Sequence, residues 1–331
     1  MNTRVGRQCW SLAFATAVVL LNAVPPSRAA APPAAADARL PVPPAAAVER
    51  AGSRVAERYR AELSAATAPE QKAALVRRML ETAGDTKDDA ASRFALATVA
   101  RDYAADARDV DAAFAAADLL SRTFQVDPLT ARADAVGRLG KATAASPTDE
   151  VLVRGALTVV NDAVRADRYD VARAAAAVAA QAAKRVAGNE ALVRRTAARA
   201  ADVGAIEQAY RESRPAIAQL KRNALDVDAQ SAVGRFLCLA KGDWDAGLKF
   251  LVQADDDATR AAALLDAAGS VTGPGRARIA DAWWDLAERQ PPGLTRDQMR
   301  RRAADWYNRA AGQLTGLTKA RAEQRVVAAP Q

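Results

Sequence analysis

The stretch Ala240-Lys241-Gly242-Asp243-Trp244-Asp245-Ala246-Gly247-Leu248 decides how this chain is read. It is a short polar turn that runs straight into a helix start. Trp244 is a bulky residue placed to pack at the helix entrance. Asp245 falls in the first turn, where a carboxylate favours the positive end of the helix dipole. Gly247 has no side chain, so a preceding helix can come close. The apolar run Phe236 to Ala240 supplies the end of that preceding helix.

The same local pattern, a bulky residue, Asp, any residue and a small residue, recurs at Val110-Asp111-Ala112-Ala113 and Tyr169-Asp170-Val171-Ala172. The form of the turn and second helix start resembles a tetratricopeptide repeat. The copies lie 59 and 75 positions apart, not at the steady period of about 34 residues that defines the family. The resemblance therefore implies irregular helical hairpins rather than a regular array.

The rest of the chain agrees with an all-α fold. Of its 331 residues, 50% are hydrophobic but only 5% aromatic, and Ala, the best helix former, supplies much of the apolar share. Thr67-Ala68-Pro69-Glu70 has the form of a capping box with Pro in the first turn. Asp88-Asp89 sits where a cap and first turn belong. Phe114, Ala117, Leu120 and Phe124 make an apolar stripe across a helix from Asp109 to Phe124, and Val153, Ala156, Leu157 and Val160 make another after Ser146-Pro147-Thr148-Asp149. No strand pair is predicted, because Val and Ile follow helical spacing rather than alternation.

Residues 229–325 form a distinct helical module. They hold Trp244, Trp283, Trp284 and Trp306. Ile279, Trp283 and Leu286 share one helical face, with Trp283 expected in a core and Trp284, beside that face, partly exposed. Four motifs occur in order: Phe236 to Trp244, Ala280-Asp281-Ala282-Trp283-Trp284-Asp285-Leu286-Ala287-Glu288, Ala303-Ala304-Asp305-Trp306-Tyr307, and Leu314 to Arg321. This order resembles an uncharacterised helical module of exported planctomycete proteins, and the resemblance reaches back to the helices of residues 47–124. It implies an exported, tetratricopeptide-like α-solenoid of hairpins with a Trp-rich C-terminal module. It implies no catalytic residue.

Residues 1–29 read as a signal peptide: Arg4 and Arg7 precede the apolar run Leu12 to Val24, and Ser27-Arg28-Ala29 offers small residues for cleavage after Ala29. A retained N-terminal membrane anchor is the alternative reading, though that run is too short to cross the roughly 30 Å hydrocarbon core comfortably. The predicted location is the periplasm or the extracellular space, with no transmembrane segment after cleavage. Residues 30–46, rich in Ala and Pro, read as a linker. Residues 47–228 form the hairpin region, and 326–331 a tail. Cleavage leaves Cys238 alone on an apolar helix, where a buried, inert thiol is expected.

The chain contains no His, which removes imidazole bases, Ser-His-Asp triads and histidine-ligated zinc. Asp255-Asp256-Asp257 reads as a helix cap, without the spacing of a calcium loop. No cofactor or metal site is predicted. The net charge is +8, and +5 after the leader's three Arg are removed; residues 276–325, with eleven basic and six acidic residues, account for all of that excess. Trp284 and the cluster Arg300-Arg301-Arg302 are the candidate interaction surface. An envelope protein or an acidic cell-surface polymer is the expected partner, and nucleic acid is not, since no recognition motif occurs. A solvated helix face is the alternative reading of the cluster. The function expected is an exported, non-catalytic helical-repeat scaffold. An all-helical lyase or hydrolase acting on polysaccharide is the alternative, and would need a cleft walled by exposed Trp284 and Tyr307 beside two carboxylates.

Overall fold

Acidic caps and Pro-led first turns cut the described part of this alanine-rich chain into fourteen α-helices. The computed structural model describes residues 38–330; the expected signal peptide and residues 30–37 of the expected linker lie outside the described residues. The helices are α1 (Ala45–Ala65), α2 (Pro69–Asp85), α3 (Ala90–Asp106), α4 (Val110–Thr123), α5 (Pro128–Leu139), α6 (Asp149–Arg165) and α7 (Tyr169–Arg185). They continue with α8 (Glu190–Arg222), α9 (Val227–Arg235), α10 (Trp244–Leu251), α11 (Asp257–Ala268), α12 (Gly273–Glu288), α13 (Leu294–Ala310) and α14 (Gly316–Ala328). The fold is all-α: the described residues contain no strand, only a single bridge between Leu40 and Phe124. No helix among them is long and apolar enough to cross a membrane.

The starts of these helices follow side-chain capping chemistry. Asp89, Asp109, Asp127, Asp226, Asp243 and Asp256 each precede a helix and accept a backbone N–H from three residues on, at 2.7 to 3.1 Å. Asp256 thus caps α11, while its neighbour Asp255 binds Ser231 and Arg235. At α2 the role expected of Thr67 passes to Gln71. Its side-chain oxygen reaches back to the amides of Thr67 and Ala68, both at 3.1 Å, and Ala68 occupies the cap.

The recurrent pattern marks three equivalent corners. Val110, Tyr169 and Trp244 are the first residues of α4, α7 and α10. Two positions before each lies a left-handed residue: Arg108 (φ 62°), Asp167 (φ 56°) and Gly242 (φ 78°). At the first two corners the departing helix closes in a Schellman motif, with Asp109 N–H to Ala104 O at 2.9 Å and Arg168 N–H to Ala163 O at 2.8 Å. At the third, a π-helical turn (Phe236–Lys241) widens the loop by one residue, and Asp243 N–H reaches Leu237 O at 2.7 Å. The small residue follows as required. A Cβ on Gly247 would lie 2.6 Å from Cys238 Sγ, and one on Gly234 only 2.5 Å from the Leu251 backbone N. The helices α9 and α10 therefore touch almost backbone to backbone.

Sequential helices pack on one another, α3 on α4, α6 on α7 and α12 on α13, with α8 joining α7 to α9. Residues 39–330 belong to one compact unit. The boundary read at 228/229 is not a gap in the packing: Phe236 and Ala240 share a core with Val159, Tyr169 and Ile206, and Tyr210 bridges Tyr169 to Phe236 with ring centroids 5.2 and 5.7 Å away. Nor is the end of the presumed linker loose. Leu40 N–H donates to Thr123 O and Gln125 N–H to Leu40 O, both at 2.8 Å, and Arg39 donates to the carbonyls of Ser121 and Val126.

Two buried carboxylates were hidden in the sequence. Asp149 is fully buried at the head of α6, where it receives Arg108 at 2.5 Å, Arg185 at 2.8 Å and the Ser146 amide at 2.9 Å. Burial alone would raise its pKa. Arg185, the Ser146 amide and Arg108 outweigh that and hold it below the ordinary carboxylate value. Asp266, also buried, accepts Trp283 Nε1–H at 2.7 Å and a two-pronged Arg302 at 2.6 and 2.8 Å. Cys238 is fully buried against these groups, and desolvation pushes its thiol far above the ordinary value, as expected of an inert cysteine.

Candidate functional site

A polar groove lies where α6, α8, the corner at Lys241-Gly242 and α13 meet. Two adjoining cavities of about 500 and 790 Å³ share Asn161, Arg165, Arg199, Lys241 and Gly242. Helical spacing supplies the walls. Leu157, Asn161 and Arg165 follow one another at four-residue steps along α6. Arg195 and Arg199 do so along α8, and Gln298, Arg302, Asp305 and Arg309 descend α13. The floor is the third corner. Gly242 adopts the left-handed conformation, and a Cβ there would stand 3.0 Å from the Gln298 side chain. Gln298 in turn donates to Ala240 O at 3.3 Å. Lys241 folds back onto the second corner, donating to Arg165 O at 2.9 Å and to Asp167 Oδ1 at 2.8 Å.

The lining is strongly cationic. Eight basic side chains (Arg165, Arg194, Arg195, Arg199, Lys241, Arg301, Arg302 and Arg309) face five acidic ones (Asp202, Asp243, Asp245, Asp297 and Asp305). Several of the cations are already engaged, as Arg302 is by Asp266 and Lys241 by Asp167. Arg195, Arg199 and Arg309 have no carboxylate within ion-pair distance among the described residues; Arg309 instead lies over the Trp306 ring at 4.9 Å. Arg199 is partly buried and donates to the amide oxygen of Asn161 at 2.9 Å. Desolvation depresses its pKa, Asp202 opposes, and the guanidiniums of Arg301 and Arg165 add to the depression. Asp202, 4.0 Å from Arg301, is raised by burial despite that neighbour.

The four residues expected to form an interaction surface divide between two places. Arg301 and Arg302 line the groove, though Arg302 is only 8% exposed and is spent on Asp266 and on the rings of Trp244 and Trp306, at 5.1 and 5.5 Å. Trp284 is 7% exposed rather than partly open. Arg300 and Arg325 lie over its ring at 5.1 and 5.3 Å, and Arg300 pairs with Glu288 at 2.7 Å. The densest basic run is therefore largely a packing device, with indole rings as its partners. Tyr307 is 1% exposed, and its hydroxyl donates to Asp281. Trp283 is fully buried, as its position on the helical face predicts.

The groove's main cations come from segments that read as charge-neutral in bulk. The available signal was the spacing Arg194-Arg195 with Arg199 on one helix; the contribution of Arg165 and Lys241 depends on how the corners meet. No family model matches the chain, and no curated protein or solved structure matches it.

Proposed function

We propose that this chain is an exported, non-catalytic helical-repeat scaffold whose basic groove receives an acidic partner of the cell envelope. The excess of basic over acidic side chains in one groove carries this reading, because a concave surface of one sign concentrates counter-charged partners. Three similar hairpin corners support a tetratricopeptide-like arrangement, an architecture that presents extended concave surfaces. The leader features of residues 1–29 and the resemblance to the exported planctomycete module support the location in the periplasm or outside the cell. Burial of Trp284 and Tyr307 weighs against the polysaccharide lyase or hydrolase reading, since the aromatic wall it needs is closed.

The test is retention of the full-length chain from low-salt buffer on beads carrying anionic polymer against beads carrying neutral dextran. Preferential retention that fades with added salt is expected, together with its loss when Arg165, Arg195 and Arg301 are all replaced by Gln. Equal retention on both supports would overturn the reading.

A further inference from the structure

The groove contains more than diffuse positive charge. At the junction of its two cavities, Arg199 is a partly buried guanidinium anchored by Asn161 at 2.9 Å and facing the cations Arg165 and Arg301. Withdrawing a cation from water among like charges is unfavourable unless an anion compensates. Asp202 lies in the same wall and opposes part of this cost, but its ion-pair contact, at 4.0 Å, is with Arg301. One terminal nitrogen of Arg199 donates to Asn161 Oδ1, which leaves the remaining donors for a planar or tetrahedral oxyanion.

The rest of the lining narrows the class of ligand. A protein partner needs an apolar or aromatic centre where its anchor side chains lose water. Here the large apolar side chains of the lining are Leu157, Val164 and Trp244, and Trp244 is only 8% exposed. Arginines and amides dominate instead, and guanidiniums match carboxylate and sulfate geometry in a way that ammonium groups do not. We infer that the groove binds a linear polysaccharide bearing carboxylate or sulfate groups, with one such group seated on Arg199 between Arg165 and Arg301. This rests on the proposed reception of an acidic partner in the groove and specifies its chemistry and its central contact.

Isothermal titration of the full-length chain with four probes tests the inference: polygalacturonate, chondroitin sulfate, poly-glutamate and neutral dextran. Binding is expected for one or both acidic polysaccharides, and which of them binds separates carboxylate from sulfate as the seated group. Arg199→Gln should weaken that binding about tenfold, the loss of one charge-assisted contact. Arg199→Lys should recover only part of it, because the charge returns without the planar donor edge. Asn161→Asp changes an exposed residue and places a carboxylate on Arg199, so it should weaken binding even if Arg199→Gln proves unstable. Arg58→Gln, on exposed α1, should change nothing.

Unchanged polysaccharide affinity in both Arg199→Gln and Asn161→Asp would overturn this inference and leave the broader reading of the groove standing. Poly-glutamate binding as tight as either polysaccharide, with the same dependence on Arg199, would overturn it in favour of an acidic protein partner. If none of the acidic probes binds the unaltered chain, the proposed function falls as well.

Discussion

The segment α1–α7 and the segment that follows α9 are both built from helices, but they use opposite means to hold them together. In the first region the buried face is chiefly alanine: Ala100, Ala104, Ala113, Ala117, Ala156, Ala163, Ala172, Ala176, Ala179 and Ala182 are all within 3% of complete burial. Such side chains remove little apolar area apiece, so stability comes from many close helix contacts of small individual value. In the second region a few indoles dominate, each able to bury about 150–250 Å², and arginines lie over them. Trp244 meets Trp283 edge-on at 4.9 Å, and Asp266 ties Trp283 to Arg302. One region distributes its stability; the other concentrates it.

The comparison predicts unequal responses to mutation. Trp283→Ala should be the most damaging change, costing about 3–5 kcal/mol through the cavity alone and leaving Asp266 without its indole donor. Ala179→Gly, equally buried in α7, should cost only about 1 kcal/mol. Urea unfolding of the two variants measures both, and similar losses would erase the distinction between the regions.

The first region has one concentrated point, Asp149. Asp149→Asn should cost about 3 kcal/mol, because Arg108 and Arg185 are 17% and 14% exposed and would lose their counter-charge. The pH dependence has a definite sign. The folded pKa of Asp149 lies below its reference value of 3.8, so the unfolded chain binds the proton more readily. Its contribution is therefore complete above the unfolded value and is lost as pH falls through the folded one. Thermal melts between pH 2 and pH 6 should show a smaller acid loss in Asp149→Asn than in the unaltered chain.

A pair of glycine substitutions sharpens the role of spacing. Gly234→Ala should destabilise by about 1–3 kcal/mol, since the new Cβ meets the Leu251 backbone, which cannot rotate away. Gly137→Ala, in open space within α5, should stabilise by about 0.5–1 kcal/mol. Equal and same-signed shifts in melting temperature for this pair would show that close approach of α9 and α10 is not what Gly234 provides.

Local chemistry was readable in the sequence, and long-range placement was not. The corner at Gly242-Asp243-Trp244, the caps within Asp88-Asp89 and Asp255-Asp256-Asp257, the burial of Trp283 and the inert Cys238 follow from propensity, dipole and periodicity within a few residues. Asp149 looked like a residue of a helix start, because nothing nearby announces that Arg108 and Arg185, 41 and 36 positions away, converge on it. Arg300-Arg301-Arg302 stood out as a run of charge, but adjacent residues on a helix point in different directions. Arg302 goes into the core, Arg301 to the groove and Arg300 onto Trp284. Arg199 and Lys241 carried no linear signal of a shared site, because α8 and the third corner are brought together only by packing.

The bridge at Leu40 has a mechanical consequence. Tension applied to the chain upstream of residue 38 would not first reach α1. It would arrive at the α4–α5 junction, where two backbone hydrogen bonds and the Arg39 guanidinium act together as a clamp. The first helix is thereby shielded from being peeled away, and the load passes directly into the packed helices α4 and α5.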